Sequence, residues 1–379
     1  MNHNAGPPIE KRSAPSESRG TIDVRQQMMI LVALIAAAVC ILAILGIGLG
    51  KRAMVSVKAE RRYTAGSAHY KRKEYAFAEK DLREAVRLMP KVARYQISLG
   101  DALYQQQKFA DAEPAYRAGL QADPKSGSYH NRLGTALDGE YKLDAAILEY
   151  REATALDKKT AQYPYNLGCA LFEGCKYREA ETALREAIKR NSREARFYSG
   201  LGSAIFSQRD KHRDDQVVAA YQNAIRLAPE RSKYHRYLGV FYIQRKRYTE
   251  AASEERSAVA LEPDSAISHA DLSESLYLQR QFPEARAEML EAIRLDPKSG
   301  SYPFHLGEID RARREYAQAE TDFRRAVQLA PEDPYCYSDL ASVLRLLGRS
   351  AEARQEEEHA KRLWARWTSM RKSSNQIDQ

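Results

Sequence analysis

The 379-residue sequence is poor in cysteine, and its four cysteines do not have the spacing of a metal site. Cys40 lies in an apolar run, whereas Cys169, Cys175 and Cys336 are scattered along the rest of the chain. A structural zinc site needs several cysteines or histidines at characteristic spacings, so we expect free thiols instead. We predict no bound metal and no cofactor.

Motifs for common catalytic chemistries are missing as well. The sequence contains no G-x-S-x-G, no phosphate-binding glycine loop and no H-E-x-x-H. Acidic runs such as Glu254–Glu255 lie in amphipathic segments, where they indicate solvated helix faces. These absences predict that the protein is not an enzyme. The net charge of +9 is spread along the chain without a recognised binding motif, so we predict no nucleic-acid partner.

One long uncharged run, MMILVALIAAAVCILAILGIGLG, covers residues 28–50. As a helix it would extend about 34 Å, enough for a bilayer core of about 30 Å. We therefore expect a transmembrane helix in a single-pass protein of the plasma or inner membrane. The alternative is a cleaved signal peptide, which has a shorter apolar region and an A-x-A site. Gly46 and Gly50 form a G-x-x-x-G motif that is compatible with weak self-association.

Basic residues flank this run on both sides, so the side of the membrane on which the rest of the chain lies stays open. The basic segment 51–58 and the residues after it give a small preference for the cytoplasmic face. Residues 1–27 are polar, contain Pro and Gly, and predict a disordered tail.

The remaining sequence repeats every 34 residues, as the pairs Leu99-Gly100, Leu133-Gly134 and Leu167-Gly168 show. An alanine follows twelve residues after each of these glycines, and an aromatic residue or leucine follows four residues later. Each period holds two apolar patterns of helical spacing separated by a turn. A single helical hairpin cannot bury its apolar face alone, so the hairpins must stack on one another.

This pattern of Leu-Gly, Ala, aromatic, Ala and Pro resembles the tetratricopeptide repeat (TPR) family. The resemblance implies an all-α solenoid of about nine helix hairpins. With each closing proline at position 32, the units start at residues 59, 93, 127, 161, 195, 232, 266, 300 and 334. The predicted order is a tail (1–27), a transmembrane helix (28–50), a basic juxtamembrane linker (51–58), the solenoid (59–367), and the end of a capping helix with a frayed tail (368–379).

The resemblance also implies that the first helices line a concave groove with side chains at positions 2, 5, 6, 9, 12 and 13. Position 12 is aromatic in five units, at Tyr70, Tyr104, Phe172, Phe206 and Tyr277. These rings are candidates for binding an extended peptide or an amphipathic helix, and they are equally suited to packing on the next unit.

Polar groove positions are the other candidates. Some members of the family bind the C-terminus of chaperones through a set of Lys, Asn and Arg side chains called the carboxylate clamp. Asn166 and Arg196 match this set, whereas Asn131, Thr135 and Gly200 depart from it, so we do not expect a clamp. Basic residues in units three to six favour an acidic peptide instead: Arg132, Arg196, Lys233 and Arg236. His130, His235 and His269 share one repeat position, and we expect them to pack rather than bind metal.

Two carboxylates interrupt the apolar pattern. Asp310 occupies the position of Leu103, and Glu255 occupies that of Tyr116. A buried carboxylate is costly unless it is paired, so we expect neutralisation by Arg313 or Arg314 and by Arg256, or local loosening of units six to eight.

The sequence therefore predicts a non-catalytic, membrane-anchored scaffold that binds a protein or peptide partner in its groove. The alternative is a regulatory or assembly subunit of a membrane-associated biosynthetic, secretion or proteolytic complex.

Overall fold

The computed structural model describes the backbone of residues 24–377 and the side chains of residues 26–38 and 52–369. Over this range the chain forms eighteen α-helices and one 3₁₀ turn, and no strand. The all-helical hairpin architecture predicted from the 34-residue period is confirmed. The helices form two compact units, which meet in the sequence between Ala122 and Asp123.

The first unit contains four helices: α1 (Val24–Lys71), α2 (Tyr75–Leu88), α3 (Ala93–Gln105) and α4 (Phe109–Ala122). The end of α1 pairs with α2, and α3 pairs with α4. We call the odd-numbered first helix of each hairpin the A helix, and the even-numbered second helix the B helix.

The second unit contains seven further hairpins. Its helices are α5 (Gly127–Gly139), α6 (Leu143–Leu156), α7 (Gln162–Glu173), α8 (Tyr177–Arg190), α9 (Ala195–Ser207), α10 (Asp214–Leu227), α11 (Ser232–Gln244), α12 (Tyr248–Leu261), α13 (Ala266–Leu278), α14 (Phe282–Leu295), α15 (Ser301–Ala312), α16 (Tyr316–Leu329), α17 (Pro334–Leu346) and α18 (Ser350–Ile377). The 3₁₀ turn Lys211–Arg213 precedes α10, where the fifth repeat carries its three extra residues.

Hairpins close because a glycine of the A helix faces a large side chain of the B helix. A Cβ atom placed on Gly100 would lie 2.5 Å from the ring of Tyr116, and one on Gly134 would lie 2.8 Å from the ring of Tyr150. The recurring Leu-Gly pair therefore supplies a buried leucine and a gap for the ring sixteen residues later. Both tyrosines are almost fully buried.

The turn between the two helices of a hairpin places one residue in the left-handed region. In eight of the described hairpins this residue is not glycine, for example Tyr141 at φ 60°. The amide of Tyr141 donates to the carbonyl of Asp138 and that of Lys142 to the carbonyl of Leu137, both at 2.9 Å. These bonds satisfy the last carbonyls of the A helix.

The last helix, α18, covers the end of the stack. Leu363 is buried with Tyr337 and Ala360. The Trp364 ring packs edge-on against Tyr335, with centroids 4.9 Å apart. Residues 370–379, which include the predicted frayed tail, have no described side chains.

The predicted membrane anchor requires a correction. Among the described residues, no helix is both long and apolar enough to cross a bilayer. The prediction of a single-pass membrane protein held by residues 28–50 is therefore wrong on this structure.

Other sequence predictions concern parts that the structure leaves undescribed. Most of the predicted disordered tail, residues 1–23, lies outside the described residues. The self-association predicted through Gly46 and Gly50 involves residues whose surroundings are likewise outside that range.

Candidate functional site

The A helices of the second unit carry side chains that the helix core does not use. Successive A helices contact one another directly: α7 with α9, α9 with α11, and α11 with α13. We call the accessible side chains on this row of helices the A-face, and define it by Asn131, Gln162, Asn166, Arg196, Lys233, Tyr237, Val240, Ile267, Glu274 and Glu308.

At its N-terminal end the A-face contains a hydrogen-bonded row of polar side chains. The amide of Asn166 donates from Nδ2 to Oδ1 of Asn131 at 2.8 Å. Gln162 donates from Nε2 to Oδ1 of Asn166 at 2.5 Å, and Arg196 donates from Nη2 to Oε1 of Gln162 at 2.8 Å. The row links α5, α7 and α9, and it brings together three residues predicted from the sequence.

Arg196 is held further by its neighbours. Its Nε atom lies 3.3 Å from a carboxylate oxygen of Glu194, and its guanidinium lies 5.1 Å from the centre of the Tyr165 ring. The side chain is nevertheless about half exposed. Its remaining donors therefore face solvent at a fixed position. Arg132 lies half-buried on α5, one residue after Asn131.

The central part of the A-face belongs to α11. Lys233, Tyr237 and Val240 are exposed there, and the last two keep 42% and 37% of their surface accessible. Arg236 donates from Nε to Oδ2 of Asp271 on α13 at 2.6 Å. Because this bond neutralises Arg236, the basic segment predicted from the sequence carries less positive charge than its four basic residues would suggest.

A pocket lies between α13 and α15. Its volume is about 290 Å³, and its lining combines apolar side chains with three carboxylates, those of Asp271, Glu274 and Glu308. Loss of hydration in the pocket raises the pKa of the half-buried Asp271, and it also raises the pKa of Glu274 although that side chain stays partly accessible. His305 on the pocket wall contacts Glu308, with 2.9 Å between Nδ1 and Oε2.

The aromatic residues at position 12 are half-buried and pack within the protein. Four of them contact the first aromatic residue of the following B helix at centroid distances of 5.3–5.8 Å, in the pairs Tyr70–Tyr75, Tyr104–Phe109, Phe172–Tyr177 and Tyr277–Phe282. Phe206 instead packs on Phe241 of the next hairpin at 5.3 Å. Of these rings only Tyr277 also lines the pocket described above. Tyr70 and Tyr104 belong to the first unit, where Tyr70 lines a separate depression with Tyr63 and Asp101.

The repeated histidines each contact a glutamate of their own hairpin. The distances from Nδ1 to the carboxylate are 2.7, 2.7 and 2.6 Å in the pairs His130–Glu149, His235–Glu254 and His269–Glu288. In two hairpins the Nε2 atom also contacts the carbonyl of the preceding proline, at Pro124 and Pro263. These contacts tie the start of the A helix to its B helix. Among the described residues no group of His, Cys, Asp and Glu could hold a metal ion.

A comparison with protein families decides the identity of the fold. The family model described as tetratricopeptide repeat matches residues 63–127, 97–164, 165–212, 218–266 and 304–365, more than half of the chain. The chain belongs to the tetratricopeptide repeat family. TPR proteins are generally non-catalytic scaffolds that bind protein partners. A search of curated proteins finds no match.

Solved TPR structures resemble parts of this TPR chain. MamA is 27% identical over 44% of this chain and 95% of its own length, with a TM-score of 0.41. PilF of Pseudomonas aeruginosa is 22% identical over 57% of this chain and 97% of its own, with a TM-score of 0.47. A chain of the APC/C hetero-tetramer Cut9–Hcn1 is 11% identical over 74% of this chain and 54% of its own length, with a TM-score of 0.49. Because these TM-scores lie below 0.5, no functional argument rests on them.

Sequence reasoning named Lys233 on α11 but missed Tyr237, Val240 and the acidic pocket, because it looked for aromatic residues at position 12 and for basic residues at the other groove positions. A signal was present: Glu274 and Glu308 lie 34 residues apart at position 9 of adjacent TPR units. Reading every groove position across adjacent units would have found this pair.

Proposed function

We propose that this TPR protein is a non-catalytic scaffold that binds an extended segment of a protein partner along the A-face of its second unit. The observation that carries the proposal is the row Asn131–Asn166–Gln162–Arg196, in which polar groups of three A helices are held in fixed positions without being buried. Amide side chains can donate to and accept from a peptide backbone, which suits binding of an extended chain.

The remainder of the A-face supports the same role. Tyr237, Val240 and Ile267 expose apolar surface that is bordered by charged groups, as in a protein interface with an apolar centre and a polar rim. The pocket between α13 and α15 offers a concave anchor point on adjacent helices. The position 12 rings contribute indirectly, because they fix the A helices against their B helices.

Affinity capture with the full-length chain in its native host tests this proposal. The double variant Asn166→Ala/Arg196→Ala removes two members of the polar row and leaves the helix core intact. We expect recovery of the specific partner to fall at least about tenfold, since each lost charged or bidentate contact costs about 1–3 kcal/mol.

A matched control removes two polar side chains from a B helix. Thr182 and Arg185 are exposed on α8, and Arg185 pairs with Glu181. The variant Thr182→Ala/Arg185→Ala should retain full capture. Equal recovery with the wild type and with the Asn166→Ala/Arg196→Ala variant would contradict binding at the A-face.

A further inference from the structure

We propose that the pocket between α13 and α15 binds the side chain of an arginine supplied by the protein partner. Its volume of about 290 Å³ lies just below the range of ligand pockets, which span about 300–1,000 Å³. It therefore has room for one long side chain rather than for a whole small-molecule cofactor. The inference deepens the proposed function and depends on it only for the source of the arginine.

The charges around the pocket favour a cation. Two of the three lining carboxylates already have partners, because Asp271 accepts from Arg236 and Glu308 contacts His305. Glu274 makes no hydrogen bond or ion pair with any residue that the structure describes. Loss of hydration raises its pKa, the charge of His305 lowers it, and the carboxylates of Asp271 and Glu308 raise it. A guanidinium beside Glu274 would supply the missing partner and relieve the repulsion among the three carboxylates.

The apolar part of the lining distinguishes arginine from a small cation. Ile267, Met289 and Ile309 offer contacts for the methylene groups of a long side chain. Tyr277 and Tyr302 add aromatic rings to the lining, and a planar guanidinium stacks on aromatic rings more readily than a strongly hydrated ammonium group does. A fork of donors also suits a wall that carries several carboxylate oxygens.

A bound arginine would fix the direction in which the partner segment runs along the A-face. The cationic Arg196 and Lys233 lie on α9 and α11, whereas the pocket carboxylates lie on α13 and α15. A bound segment would place its arginine at the α13–α15 end and its acidic or neutral residues toward α9. Reversal of the segment would bring like charges together, which disfavours it.

The test uses the full-length chain labelled with ¹³C in the methyl groups of isoleucine and methionine. The probes are N-acetyl-arginine amide, N-acetyl-lysine amide and N-acetyl-citrulline amide, the last being a neutral analogue close to arginine in shape. We expect arginine amide to shift the methyl signals of Ile267, Met289 and Ile309 in a saturable manner. Lysine and citrulline amides should bind at least about tenfold more weakly.

Two substitutions that each remove one negative charge test whether the methyl shifts arise from binding in the pocket. Glu274→Gln should abolish the saturable shifts, whereas Glu284→Gln, at an exposed site on α14 outside the pocket, should leave them unchanged. Equal binding of citrulline or lysine amide, unchanged shifts in Glu274→Gln, or no shifts with arginine amide would each overturn the assignment. None of these results affects partner capture through Asn166 and Arg196, so failure of this inference is distinguishable from failure of the proposed function.

Discussion

Ser275 on α13 donates a hydrogen bond from its hydroxyl to the carboxyl group of Glu255 on α12, inside the helix stack. Glu255 is completely buried, and its second oxygen, Oε1, has no partner among the described residues. Burial raises its pKa to about 9, because the Ser275 hydrogen bond and the charge of Arg236 lower it by less than the loss of water raises it. The carboxyl is therefore neutral at physiological pH. The expectation that Arg256 neutralises Glu255 is wrong: protonation does so, with Ser275 as the hydrogen-bond partner.

This burial predicts a loss of stability as the pH rises. The unfolded chain releases the Glu255 proton near its usual pKa of about 4.5, whereas the folded chain retains it to about pH 9. The contribution of the protonated Glu255 to the free energy of unfolding is fully present below pH 4.5. It falls by up to about 1.4 kcal/mol per pH unit between these two values, and it stops changing above pH 9. Glu255→Gln lacks this titration, so it should gain stability over the wild type between pH 6 and pH 8.

Hydrogen exchange of amides in α11–α13, corrected for the intrinsic effect of pH, measures this difference at the site. The gap between the opening free energies of the variant and the wild type should widen with pH. Parallel profiles would mean that Glu255 is ionised in the folded chain or titrates alike in both states.

A second carboxylate, Asp310, makes a different set of contacts. Arg286 of the preceding hairpin donates from Nε to its two oxygens at 2.9 and 3.2 Å, while Arg313 lies farther away at 3.4 Å. The sequence correctly suggested Arg313 as a partner and missed Arg286. Asp322 on α16 faces the same site, where burial and the charge of Asp310 raise its pKa to about 7.

Removal of Arg286 should therefore be costly. Arg286→Gln leaves the fully buried Asp310 with a weakened counter-charge, and we expect the opening free energy of α15 to fall by about 3 kcal/mol. Asp310→Leu in the same chain should restore most of this loss, because Leu103 and Leu137 occupy the equivalent position. If the single variant matched the wild type, the Arg286–Asp310 pair would have no structural role.

The contact between the glycine and the aromatic residue can be tested by copying into one hairpin the residue pair that another hairpin of this protein has at the same two positions. In the hairpin α13–α14, Ser273 replaces the glycine and Met289 replaces the aromatic residue, and both are buried. Gly134→Ser alone would clash with the Tyr150 ring and should cost about 1–3 kcal/mol. Gly134→Ser/Tyr150→Met should recover at least half of that loss in thermal unfolding. An equal or larger loss in the double variant would refute the proposed complementarity.

The two buried carboxylates also predict where this TPR stack is least stable. Hydrogen exchange should be fastest in α11–α16, because Glu255 and Asp310 replace apolar side chains there. The hairpins α5–α6 and α7–α8, which have Tyr150 and Leu184 at the Glu255 position, serve as internal references. Equal protection in all these hairpins would contradict the prediction.

The sequence predicted features that arise within one hairpin. The contact between Gly134 and Tyr150 joins residues sixteen positions apart, so the period reveals it directly. Contacts between hairpins, such as Arg286 with Asp310 and Ser275 with Glu255, depend on how neighbouring helices are rotated, and they have no equivalent among the described residues of the other repeats. The position 12 rings show the same limit, since their pattern alone left partner binding and internal packing equally open.

Light-induced cross-linking from two matched positions tests the partner-binding surface most directly. Tyr237 on the A-face and Leu261 on the B helix α12 are similarly accessible, at 42% and 39% of their surface. Each is replaced in turn by p-benzoyl-phenylalanine in the full-length chain, which is then irradiated in its native host. Our account predicts a cross-linked partner from position 237 and none, or far less of it, from position 261. Cross-linking of the same partner mainly from position 261 would contradict it.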